Sequence, residues 1–278
     1  MNKRFLLFLL TALLLLVGTA LAACGDDDDD DGGGGGTDTT AADFDTLESG
    51  TLTVGSDIPY APFEFGDAPE YKGFDVELVN AIADKLGLEV KFVKTPFDVI
   101  FRNLAQGGKF DMVASSTTIT PEREKVVAFS DPYFVADQSL MIKKGSDIKT
   151  VDDVAGKIVG AQLGTTGAAF AKDETDAGEV RTYDLVDDAF KALQTGQVEA
   201  VINDCPISKY AERSKPDLEV VAKIPTGENY GFAFEKGNDA LIEAVNGALD
   251  EVKQDGTYDE IFEKWVGSDP CESIVESE

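Results

Sequence analysis

"GFDVELVNAIADKLGLEVKFVK", Gly73 to Lys94, decides the fold class. Its first part puts Phe74, Leu78, Val79, Ile82 and Leu86 on one face of a helix, because positions three and four apart share a face at 3.6 residues per turn. Gly87 is the stop, since glycine enters the left-handed conformation of a helix end without a Cβ clash. "LEVKFVK" (88–94) then reads as a strand. Outward from this pair, "TLTVGSD" (51–57) is strand-like, "PFDVIFRNLAQGG" is a helix with a glycine end, and "FDMVAS" (110–115) is a strand again. The order β-α-β-α-β predicts a mainly parallel sheet covered by helices.

After about Asp137 the grammar restarts. "KIVGAQ" (157–162), "EVRTYD" (179–184) and "EAVIND" (199–204) are strands, separated by helices beginning at "TTGAAFAKD" and "VDDAFKALQTG". "YGFAFEKG" (230–237) is strand-like, and two amphipathic helices with glycine stops, "NDALIEAVNGALDEVKQDG" and "TYDEIFEKWVG", close the chain. Two α/β lobes are expected, the second inserted into the first.

Composition narrows the chemistry. With 24 basic against 53 acidic side chains, a formal charge of -29, the 278-residue chain repels phosphate backbones, so no nucleic-acid partner is expected. Histidine is absent, which removes the commonest general base and the commonest transition-metal ligand. No metal, cofactor or catalytic group is expected. Lys3 and Arg4 followed by the apolar Phe5–Val17 read as a secretory signal (1–23). "LAAC" ends that signal at Cys24 in the manner of a bacterial lipobox, in which the cysteine is lipidated and becomes the first mature residue. The aspartate- and glycine-rich stretch to residue 47 is a self-repelling tether. Cys205 and Cys271 remain, an even pair that permits a disulfide outside the cytoplasm and is equally compatible with two buried thiols.

In open α/β sheets, ligands bind beyond the carboxyl ends of the strands. Asp57, Tyr60 and "PFEF" (62–65) follow the first strand; Phe97 opens a helix after the second. Ser115, Ser116, Thr117 and Thr118 follow the third, then Thr120-Pro121 as a helix start and Arg123. "QLGTTG" (162–167) and "NDC" (203–205) occupy the same kind of position in the second lobe. Arg123, the hydroxyls and helix N-terminal N–H groups together suit a carboxylate, with Thr165 and Thr166 closing from the other side. Asp204 suits an ammonium, and Tyr60 and Phe97 offer two rings for a side chain. Taken singly, each residue also has a structural use: a surface ion pair from Arg123 to Glu122, Glu124 or Asp131, core rings, or a helix cap from Asp204. A carboxylate receptor and an ammonium receptor split between two lobes describe a site for a free α-amino acid.

"GTLTVGSDIPYAPFEF", "YKGFDVELVNAIADKLG", "FDMVASSTTITPERE", "VAFSDPYF", "GAQLGTTG", "VINDCPIS" and "DGTYDEIFEKWVG", in this order, resemble the extracellular solute-binding proteins for polar amino acids that feed ABC importers. The resemblance covers almost all of residues 48–268. It implies a type II periplasmic-binding-protein-like fold, with lobe 1 from 48–136 and 228–278, lobe 2 from 137–227, and two hinge strands near Phe134–Gln138 and Gly227–Gly231. It implies that Arg123 binds the substrate carboxylate with help from Ser116, Thr118 and Thr166, that Asp204 binds the α-ammonium, and that Tyr60 and Phe97 flank the side chain. Asp57 and Gln162 match positions that meet its far end. Cys205 stands where an apolar residue is expected. The implied partners are an ABC permease and, through the lipid on Cys24, the outer face of the bacterial cytoplasmic membrane; a monomer is expected. The acidic cast given by Asp57, Glu64 and Asp75 leans towards arginine, lysine or another cation, including histidine, with glutamine open through Asp57. The competing readings are a secreted dehydratase on the same fold, with Glu64 or Asp75 as acid, and a sensory lipoprotein.

Overall fold

The computed structural model describes residues 44–267 and Cys271. The expected signal, the lipobox cysteine Cys24 and the tether up to residue 43 lie outside the described residues. In chain order the elements are β1 (Thr51–Ser56), β2 (Phe65–Asp67), β3 (Glu70–Lys72), α1 (Phe74–Leu86), β4 (Glu89–Lys94), α2 (Phe97–Ala105), β5 (Met112–Val113), α3 (Pro121–Glu124), β6 (Ala128–Phe129) and β7 (Phe134–Lys143). There follow β8 (Ile158–Gln162), α4 (Thr166–Asp173), β9 (Glu179–Tyr183), α5 (Val186–Thr195), β10 (Ala200–Asp204), α6 (Cys205–Ser214), β11 (Leu218–Tyr230), β12 (Ala233–Phe234), α7 (Asp239–Gln254) and α8 (Thr257–Trp265).

The strands form two five-stranded sheets, β4-β1-β5-β12-β6 and β11-β7-β10-β8-β9, beside a small β2-β3 hairpin. β1 pairs in parallel with both β4 and β5, as the β-α-β reading requires, whereas β12 runs antiparallel between β5 and β6. Each sheet is the centre of one lobe of a two-lobed α/β fold. The apolar face of α1 is buried: Phe74, Leu78, Val79 and Ile82 are fully inaccessible and pack with Leu241 and Val245 of α7. Each such side chain contributes about 1.5–3 kcal/mol by leaving water. Gly87 ends α1 at φ 69°, the left-handed cap expected from the sequence. Gly73 starts α1 at φ 129°, and a Cβ there would lie 2.1 Å from the Phe63 carbonyl oxygen. Only glycine lets the "PFEF" turn close on the helix start. In the second lobe Leu140, Ile142, Val159, Ala200 and Ile202 form a separate core.

Two long strands, β7 and β11, escaped the residue-by-residue reading and were placed only in part by the resemblance. They pair antiparallel, with Glu228 opposite Ala136 and Tyr230 opposite Phe134, and carry the chain between the lobes. A bulge interrupts β11 between Ile224 and Glu228, where Pro225 cannot donate and Gly227 takes φ 63°. Conversely, the expected strands at 110–115 and 230–237 shrink to Met112–Val113 and Ala233–Phe234. Residues 115–118 are held instead by local contacts: Thr118 bridges to Tyr230, and the Ile119 amide donates to the Asn229 carbonyl.

Cys205 and Cys271 are joined by a disulfide, with Cα atoms 6.1 Å apart. Cys271 thereby lies beside the crossing strands, lining a surface groove with Phe134, Val135 and Pro206. The bond closes a loop with a sequence separation of 66 residues, so the loop-entropy account gives ~4 kcal/mol as an upper figure. Cys205→Ser/Cys271→Ser protein is therefore expected to unfold at lower denaturant concentration, by up to that amount, with the amino-acid affinity little changed. An unchanged midpoint would show that the bridge only dresses the terminus.

Candidate ligand site between the lobes

The residues singled out at the strand ends converge. Asp57, Tyr60, Phe97, Ser115, Ser116, Thr118, Arg123, Gln162, Thr165, Thr166 and Asp204 line one narrow cavity. Elements of both lobes supply them, and the walls touch across the cleft. Gln162 Nε2 donates to Asp57 Oδ2 at 2.6 Å, Tyr60 Oη donates to Asp204 Oδ2 at 2.9 Å, and Arg123 Nη2 donates to the Gly164 carbonyl at 3.3 Å.

Arg123 is the cation of the cavity. Thr120 caps the helix start as expected, its hydroxyl accepting from the Arg123 amide, but the helix is the single turn Pro121–Glu124. One turn carries little dipole, and the Thr120 cap already uses an N–H that was expected to face a ligand. The guanidinium donates to the Thr118 carbonyl at 2.7 Å and lies 5.3 Å from the Phe97 ring centre and 4.7 Å from that of Phe101. None of Glu122, Glu124 and Asp131 pairs with it, and among the described residues no carboxylate lies within 4.0 Å of it. Burial lowers its pKa to about 10, opposed by the charges of Asp204 and Glu228, so it stays charged at neutral pH.

Asp204 ends β10 at the N-cap position of α6, yet its side chain makes no cap bond. Its oxygens accept from Tyr60, Tyr230 and the Gln138 amide. It is buried beside another carboxylate, Glu228. Burial first and that neighbour second raise its pKa to about 6, against the pull of the three donors. Asp57 is likewise raised to about 6, chiefly by burial, with the Gln162 amide opposing.

Glu64 and Asp75 do not line the cavity. Both are fully buried one layer behind it. Glu64 accepts from Ser115 Oγ at 2.9 Å and Ser116 Oγ at 3.4 Å; Asp75 accepts from the Ser116 amide at 2.8 Å and Tyr133 Oη at 2.9 Å. Burial pushes both up, Glu64 well above the usual range and Asp75 to about 7. Their work is to hold Ser116, the one non-glycine with positive φ (48°) among the described residues. The Asp75 carboxyl secures the amide of that strained position, which fixes both serines at the cavity wall.

Thr165 caps α4: its hydroxyl accepts from the Ala168 amide and donates to the Gln162 carbonyl, so no hydrogen remains for a ligand. Phe97 shares its ring with Arg123, a use not foreseen from the sequence. Three participants were missed: Glu228, Gln138 and Tyr230. Glu228 accepts from Thr118 and Thr166 and from the Gln138 amide. The "PTGEN" stretch carried a signal, since a proline and a glycine within a strand mark a bulge that re-aims the next side chain.

The chain is similar to proteins of known kind. The L-cystine-binding protein TcyJ of Escherichia coli (strain K12) is 35% identical over 226 residues, covering 80% of this chain and 85% of that protein. The structure of an ancestral arginine-binding protein bound to arginine is 43% identical with a TM-score of 0.75, covering 78% of this chain and 99% of that one. The ancestral amino acid-binding protein AncCDT-1, a precursor of cyclohexadienyl dehydratase, is 42% identical with a TM-score of 0.73, covering 78% and 96%. The family model for bacterial extracellular solute-binding proteins, family 3, matches residues 52–268, and the chain belongs to that family.

Proposed function

We propose that this protein captures a free L-amino acid with a polar or cationic side chain by closing its lobes on it, and delivers it to an ABC-type permease. The observation that carries the reading is Arg123: among the described residues this cation at the cleft wall has no carboxylate partner, and Asp204 across the cavity has no cationic one. A zwitterion supplies both missing charges at once. Ligand contacts from both lobes exist only when the cleft is closed, so binding shifts the hinge towards closure. No covalent step is required, and the protein acts as a monomeric carrier without a cofactor.

Arginine, lysine or another cation is the preferred ligand class. Asp57, Asp204 and Glu228 outnumber the single arginine around the cavity, and a cationic side chain redresses that balance. A thermal-shift screen across the free amino acids is expected to give its largest shift with a basic one. No shift with any of them would remove the reading.

The raised carboxyl groups add a pH test. Ligand charges must lower the pKa of the groups they meet, so affinity depends on pH where those groups are protonated in the free protein. With Asp204 and Asp57 both near 6, affinity is flat above that value and falls as pH drops below it. The slope approaches two decades per pH unit for a cationic side chain that meets both groups, and one for a neutral side chain. A titration series from pH 7.5 to 4.5 showing no such fall would separate these carboxylates from the ligand.

The similarity to a dehydratase precursor favours one second reading, an enzyme on this fold. Incubation with prephenate or arogenate tests it, aromatic product being the deciding result. Tethering belongs to the first proposal: Cys24 carries a lipid that holds the protein on the outer face of the cytoplasmic membrane. Cys24→Ser is expected to turn a membrane-associated protein into a released or misprocessed one, and equal fractionation of both forms would contradict the anchor.

A further inference from the structure

Glu228 organises two of the cavity's hydroxyls. Its Oε2 accepts from Thr118 Oγ1 at 2.7 Å and from Thr166 Oγ1 at 2.7 Å, one contact on each side of the cleft. Its Oε1 accepts from Gln138 Nε2 at 3.0 Å, and the same amide donates to Asp204. A hydroxyl has one hydrogen and two lone pairs. When both threonines give their hydrogens to Glu228, both are left with lone pairs only, one of those on Thr166 accepting from Gln138 Nε2 at 3.3 Å. Such an oxygen accepts from an ammonium and cannot donate to a carboxylate.

We propose that Glu228 is a specificity-determining residue: by taking the protons of Thr118 and Thr166 it assigns these hydroxyls to the ligand's ammonium and leaves the carboxylate to Arg123. The inference rests on the amino-acid-binding reading and reverses the part that the resemblance implies for the two threonines. Its charge also stands beside Asp204 with one amide between them, so the ammonium enters a pocket with two negative groups on its walls. The bulge before Glu228 is what turns this side chain of a crossing strand inward.

Calorimetry with three probes tests it: L-arginine, 5-guanidinopentanoate (no α-amino group) and agmatine (no α-carboxylate). In Glu228→Gln an amide hydrogen faces the threonines and frees their protons. The preference for arginine over 5-guanidinopentanoate is expected to fall about ten- to a hundredfold, the range of a hydrogen bond to a charged group, while the preference over agmatine stays within about twofold. An unchanged first ratio, or a shift in the second instead, overturns the proposal. Thr118→Val and Thr166→Val are expected to lower the first ratio as well. Adding Glu228→Gln to the double threonine variant should then change it little more, and they decide the matter if Glu228→Gln does not fold. The unmutated protein separates the two levels of the argument. If it binds none of the free amino acids, the amino-acid reading itself falls and this inference with it; if it binds and the ratios do not move, only the role of Glu228 is lost.

Discussion

Arg123→Ala is expected to reduce amino-acid affinity by roughly 30- to several thousand-fold, the equivalent of ~2–5 kcal/mol for truncating one partner of a desolvated charge contact. The fold should survive. Among the described residues Arg123 pairs with no carboxylate, and its side chain, on a one-turn helix, donates only to the Thr118 and Gly164 carbonyls. Loss of its ring contacts with Phe97 and Phe101 would cost stability of about 1–2 kcal/mol each. Arg123→Lys keeps the charge but loses the planar fork that meets two carboxylate oxygens together, so an intermediate loss is expected. Calorimetry gives the affinity and a thermal melt of the ligand-free protein gives the stability. Near-normal affinity in Arg123→Ala would remove the carboxylate receptor from this account.

Asp204→Asn is expected to act in opposite directions on binding and on stability. Removing the charge that meets the ammonium should weaken binding by about a hundredfold or more, since a buried charge left without its partner costs ~3–5 kcal/mol. The ligand-free protein should become more stable at neutral pH. The folded pKa of Asp204 is about 6, against 3.8 for an ordinary aspartate. A group whose folded pKa is raised binds its proton more tightly in the folded state. Stability therefore falls as pH rises from about 4 through about 6 and is lowest above that. The cost at neutral pH is on the order of 3 kcal/mol, and asparagine avoids much of it while still offering an acceptor to Tyr60, Tyr230 or Gln138. Denaturation at pH 7.5 without ligand should show a gain of about 1–3 kcal/mol. A variant that is both less stable and fully able to bind would mean that Asp204 is a structural group.

Periodicity revealed α1 because its apolar residues recur at helical spacing and Gly87 closes it. β7 and β11 were obscure for a physical reason. β11 is only partly buried along much of its length and is broken by Pro225 and Gly227, so it reads as a loop unless its partner strand is known. At the site, residue types and strand-end positions found the cavity wall, since those depend on local order. Hydrogen-bond direction was hidden. That Thr118 and Thr166 donate to Glu228, and that Ser115 and Ser116 donate to Glu64, depends on contacts more than 50 residues apart in sequence. Likewise, Glu64 and Asp75 looked like pocket acids because "PFEF" and "GFD" flank the first strand, whereas the turn at Gly73 folds them behind the serines.

The central claim is that one small zwitterion bridges the lobes, its carboxylate on Arg123 and its ammonium on Asp204. A crystal structure of the protein grown with L-arginine tests this most directly. The account predicts density in the cavity between Tyr60 and Phe97. The carboxylate should lie within hydrogen-bond distance of the Arg123 guanidinium, the ammonium within that distance of Asp204, and the guanidinium end towards Asp57. Density for the ligand in the opposite orientation, or bound to one lobe alone with Arg123 still directed at the Thr118 and Gly164 carbonyls, would contradict it.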